Sequence, residues 1–156
     1  MYVQVSSIQA MALEYVLLAI SLLLSRKCFP LIKKGMQYFF TFIVSLSLFL
    51  IINVPIRLYE LKIHIFNAEL IYWFYAIAVV LMTSTMFFWY LSILKFMNSR
   101  LVNSRLRLIL LSIPAMLTIP LCIINKYTGW LYRIESDTYF RGSLFLLQGL
   151  VAYIYL

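Results

Sequence analysis

Glu14 is a carboxyl group about nine residues into an apolar run near the start of the chain. Ser7, Glu14 and Ser21 recur every seven residues, so a helix would carry them on one face. A carboxyl at membrane depth is costly and usually faces the interior of a bundle. No basic residue lies in the body of another apolar run to pair with it, and without a cation desolvation favours the neutral form. Asn53, Thr118 and Gln148 stand at similar depth in later runs. Together with Glu14 they would make a polar sensing pocket; alternatively, Glu14 is a hydrogen-bonded structural group. The lone histidine, His64, and the two cysteines, Cys28 and Cys122, form no ligand cluster. A metal site is therefore not expected. The chain has no Gly-rich phosphate loop, no G-x-S-x-G and no paired intramembrane carboxylates. On these grounds neither enzymatic activity nor a cofactor is expected.

A second group of candidates lies in NKYTGWLYRIESDTYFRG, residues 125–142. Trp130 to Ile134 is rich in aromatic and β-branched residues, Glu135-Ser136-Asp137 signals a turn, and Thr138 to Arg141 is a second short run. This pattern predicts a β-hairpin over 129–142. Gly129 and Gly142 bound it and allow sharp bends at both ends. Trp130, Tyr132 and Ile134 are expected on one face, with Leu131 and Arg133 on the other. Trp130, Tyr132, Tyr139 and Phe140 supply amphipathic surface. Arg141 could pair with Glu135 or Asp137, or meet an anionic ligand. Two readings stand: a structural cap tying the flanking helices together, or a surface that holds an extracellular ligand.

The elements that carry these residues follow from hydropathy. Hydrophobic residues make up 65% of the 156, charged residues 12%, and mean hydropathy is +0.97. A soluble domain carries roughly 25% charge. The sequence predicts one polytopic, all-α membrane domain of about five transmembrane helices, at 5–24, 36–56, 68–96, 106–124 and 142–156. The last run has too few residues to cross a full bilayer, so either it inserts partway or the chain is the front part of a longer one. The net charge of +8 forms no single patch, so nucleic acid is not an expected partner. The loops at 25–35 and 95–107 hold eight of the thirteen basic residues and none of the five acids. Short basic loops stay in the cytoplasm. The expected arrangement is a multi-pass membrane protein, with its N-terminus and the 125–142 stretch outside. Cys28 and Cys122 then lie on opposite sides and cannot pair. Pro114 and Pro120 fall inside the fourth run and can kink it. Glycine is absent from the first four runs, which disfavours close small-residue crossings and broken transporter helices.

The stretch IINKYTGWLYRIESDTYFRGSLF resembles the outer loop of the multi-spanning N-terminal sensor regions of clostridial-type GGDEF diguanylate cyclases and related cyclic-di-GMP signalling proteins. In that family an Asn ends one helix. A Thr-Gly pair, an aromatic strand, an acidic turn and a Tyr-x-Arg-Gly step into the next helix follow. Asn125, Thr128, Gly129, Tyr139, Arg141 and Gly142 occupy those places here. The resemblance implies a sensor of the bacterial cell membrane that regulates a cytoplasmic cyclic-dinucleotide output domain outside this chain. Its implied partners are membrane lipid, an extracellular ligand and a second copy in a homodimer. The alternatives are a small transporter or substrate-binding membrane subunit, or a structural or assembly protein of the membrane.

Overall fold

The computed structural model describes residues 12–21, 23–24, 36–63, 65–135 and 138–155. The chain is mostly helical, with helices α1 (Ala12–Ser21), α2 (Gln37–Glu60), α3 (Ala68–Phe96), α4 (Arg105–Thr128) and α5 (Phe145–Tyr153). Two strands, β1 (Tyr132–Glu135) and β2 (Thr138–Arg141), stand between α4 and α5. Helices α2, α3 and α4 are long and apolar enough to cross a membrane. At 24, 29 and 24 residues they extend about 36, 44 and 36 Å at ~1.5 Å per residue. The hydrocarbon layer they would cross is about 30 Å.

Among the described residues, three of the five predicted helices are long and apolar enough to span. The described parts of α1 and α5 are 10 and 9 residues long, about 15 and 14 Å. The turn at Ser143 and Leu144 delays the start of α5, so it does not begin at 142. Helix α3 has the bounds that hydropathy predicts, because Asn67 caps it: its Oδ1 accepts from the Leu70 N–H at 2.8 Å. Helix α2 runs past the predicted 56 to Glu60, through Pro55, and so takes Arg57 into its last turn.

Successive long helices are antiparallel neighbours, with α3 packed between α2 and α4. Helix ends close with Schellman motifs: after α3, Asn98 takes φ 55°, with Asn98 N–H on Lys95 O (3.1 Å) and Ser99 N–H on Leu94 O (2.9 Å). Helix α2 ends the same way around Lys62 at φ 62°. The packing leaves one end of the bundle carrying Glu14, Arg57, Glu60, Glu69, Lys126 and the hairpin. The other end carries Lys95, Arg100, Arg105 and Arg107. Ser7, Cys28, His64, Asp137 and the basic loop at 25–35 lie outside the described residues, as do the side chains of Tyr139, Glu135 and Gln148.

Two apolar clusters stack along α3. Ala76 and Val79 pack with Cys122, Leu131 and Tyr132 beneath the hairpin. Phe87 and Leu91 pack with Tyr155 toward the basic end. The second cluster reaches the backbone of α4. Tyr155 is 1% exposed, and its Oη accepts from the Ala115 N–H (3.1 Å) and donates to the Leu111 carbonyl (2.7 Å). Those two groups stand at the i, i−4 spacing of an α-helix. The contact adjoins Pro114, whose ring has no N–H to give.

Candidate functional site at the hairpin end of the bundle

Asn125, on the last turn of α4, organises this end. It is 1% exposed, and both ends of its amide are used. Oδ1 accepts from the N–H groups of Leu131 (2.6 Å) and Tyr132 (3.3 Å). Nδ2 donates to the Tyr132 carbonyl (2.9 Å) and to the Tyr72 hydroxyl (3.0 Å). The side chain thus pairs with Tyr132 as a neighbouring strand would, and satisfies backbone groups that burial would otherwise leave bare. Gly129 stops α4 in the left-handed region at φ 62°, and its N–H bonds to the Asn125 carbonyl at 2.8 Å. Thr128 turns its hydroxyl back onto the Ile124 carbonyl at 3.2 Å.

This capture shifts the hairpin from its predicted position. Gly129 to Leu131 form a bend instead of the start of a strand, and the ladder pairs Tyr132 with Arg141 and Glu135 with Thr138. The predicted alternation fails at the bend. Trp130 is 47% exposed, whereas the consecutive residues Leu131 and Tyr132 are both buried. Gly142 serves by close approach rather than by a special φ: a Cβ there would lie 2.1 Å from the Trp130 carbonyl oxygen. Around it, Gly142 N–H bonds to Leu131 O (2.9 Å) and Leu144 N–H to Trp130 O (2.7 Å), which closes the hairpin into one knot with the start of α5. Arg141 stacks over the Phe145 ring at 4.8 Å and forms no ion pair among the described residues.

Tyr132 is the contact between hairpin and bundle. Its ring lies 5.1 Å from Tyr72 and 5.5 Å from Tyr75, and its hydroxyl donates to the Tyr72 carbonyl at 3.1 Å. Tyr75 donates to Glu60 at 2.8 Å. Glu60 in turn accepts from Arg57 Nη1 at 2.8 Å, and Arg57 Nε and Nη2 reach Glu14 Oε1 at 3.2 and 3.1 Å. Glu14 therefore has a cation partner, contrary to the expectation of an unpaired neutral carboxyl. The extra turn of α2 supplies it. Lys126 pairs with Glu69 at 2.9 Å and lies over Trp73 at 5.2 Å, tying the end of α4 to the start of α3.

Among the described residues, Glu14, Asn53 and Thr118 of the predicted polar set do not come together. Glu14 and Ser21 both meet α2, at Arg57 and at Ser47 (2.9 Å between hydroxyls). Asn53 donates to Phe49 O and Thr118 to Ala115 O, each on its own helix. A cavity of about 170 Å³ lies under the hairpin instead, and Asn53, Tyr75, Met82, Tyr132 and Phe145 line it. Of Glu14, Asn53 and Thr118, Asn53 alone lines it; the Gln148 side chain lies outside the described residues. Of the aromatic residues that build this place, the sequence marks Tyr132 as hairpin surface but not its stack on Tyr72 and Tyr75. No protein-family model matches the chain, and neither the curated proteins nor the solved structures give a significant match.

Proposed function

We propose that the chain is the membrane-embedded input module of a bacterial signalling protein. In this reading the hairpin end lies outside and the basic end in the cytoplasm, because Lys95, Arg100, Arg105 and Arg107 gather where the described residues include no acid. The described parts of α1 and α5 belong to longer spans, giving five in all, with the N-terminus outside. An extracellular ligand enters the cavity beneath Tyr132. The resulting shift of the hairpin moves α5, which leads toward a cytoplasmic cyclic-dinucleotide output domain of the GGDEF-associated type.

The observation that supports this reading is that one residue of the hairpin, Tyr132, both lines the cavity and stacks on the tyrosines that continue into the Glu60–Arg57–Glu14 ion pairs. A ligand there would touch the hairpin and three helices at once. The test begins with the reading frame beyond codon 156, expected to encode further helix and a cyclase-like domain. In the protein so defined, Tyr132→Phe and Arg141→Ala should change cellular cyclic-di-GMP while expression stays level. A frame that closes beside genes for an ATPase or permease would favour a transporter subunit. Unchanged cyclic-di-GMP in both variants would leave the hairpin a structural cap.

A further inference from the structure

At the opposite end of the bundle, a cavity of about 300 Å³ opens between the start of α2 and the end of α3. Three of the side chains that line it are polar and make no side-chain hydrogen bond or ion pair among the described residues: the Lys95 ammonium, the Tyr38 hydroxyl and the Asn98 amide. Each can donate, and the ammonium carries a full positive charge. Ser92 also lines the cavity, but its hydroxyl is committed to the Phe88 carbonyl at 2.7 Å. The rest of the lining is apolar, with Phe39 and Phe96 meeting edge to face at 6.4 Å. Phe96 and the adjoining Met97 are 65% and 73% exposed, so the mouth continues as apolar surface along the helix. Arg100, Arg105 and Arg107 add positive charge nearby in the chain.

A group that accepts three donors, carries negative charge and continues into hydrocarbon is the phosphate of a lipid. The cavity sits at the last turn of a 29-residue apolar helix, the level at which head groups meet protein. We propose that this cavity holds the phosphate head group of an anionic phospholipid, with Lys95, Tyr38 and Asn98 as donors and Phe39 and Phe96 against the acyl chains. The site is independent of what the hairpin end perceives.

The test uses the whole chain in neutral detergent, with lipid binding followed by native mass spectrometry. Dioleoyl phosphatidylglycerol should bind and dioleoyl phosphatidylcholine should not. Lys95→Ala should weaken phosphatidylglycerol about five- to tenfold and Tyr38→Phe about threefold. Arg100→Ala, of equal charge change but outside the cavity, should alter it less than about twofold. Equal losses from Lys95→Ala and Arg100→Ala would mean a diffuse basic surface and overturn the site. Displacement by equimolar glycerol 3-phosphate or inorganic phosphate would overturn the lipid as its occupant. If Lys95→Ala does not fold, Tyr38→Phe decides alone, since it keeps the ring packing: unchanged affinity overturns the proposal.

Discussion

Arg57 sits between two carboxylates, and its loss should be felt more than the loss of either. Arg57→Ala leaves Glu14 and Glu60 facing each other in a half-buried site, at a cost of about 2–4 kcal/mol. Glu14→Gln keeps a hydrogen-bond acceptor and leaves Arg57 paired with Glu60, at about 1 kcal/mol. Thermal unfolding in detergent should rank them in that order, and a milder Arg57→Ala would place the network in open water. Asn125 carries the larger burden. Asn125→Ala strips partners from three buried backbone groups and should cost about 3–5 kcal/mol. Asn125→Asp should be no better, since it turns a second acceptor toward the Tyr132 carbonyl. Of these two residues the sequence singled out Asn125 through its family resemblance, but not its role. Pairing with residues six and seven positions ahead exists only once the chain has folded back. The Glu14 partner was hidden because the predicted second run ends at 56, one turn short of Glu60, and leaves Arg57 outside the helix.

Among the elements, the hairpin joints and the Tyr155 contact on helix α4 make separate predictions. Gly129→Ala meets only ordinary contacts but a left-handed backbone, a penalty of about 1–2 kcal/mol. Gly142→Ala must push against the backbone of Trp130 and Gly129, so it should cost about 3 kcal/mol or more. Melting temperatures should fall in that order, and the reverse order would refute the close approach. Tyr155→Phe removes the hydroxyl held between Ala115 and Leu111 and should cost about 1–3 kcal/mol, with faster amide exchange at Ala115. The three long helices were legible because runs of this hydropathy have no other use. Hairpin existence was legible too, from two short runs about an acidic turn. Its register was not, since Asn125 and the backbone contacts of Gly142 override strand alternation at Trp130 and Leu131.

For the molecule as a whole, sidedness is the accessible question. Cys122 is 3% exposed, so a thiol reagent would not report its side of the membrane. Tyr127 is 85% exposed at the hairpin end, and Arg100 is exposed at the basic end. With both native cysteines changed to serine, an impermeant maleimide added to intact cells should label Tyr127→Cys and leave Arg100→Cys unmodified. The opposite pattern would invert the proposed orientation. The order in which the ribosome delivers the chain adds a constraint on assembly. Residue 115 is synthesised 40 residues ahead of residue 155. When α4 first meets the membrane, the hydroxyl that bonds to Ala115 and Leu111 has not yet been made. Until α5 follows, the Leu110 carbonyl opposite Pro114 and the groups beside it lack that support. Nascent chains stalled just short of residue 155 should therefore hold α4 less firmly in the bilayer than released ones, and α4 becomes the last helix to settle.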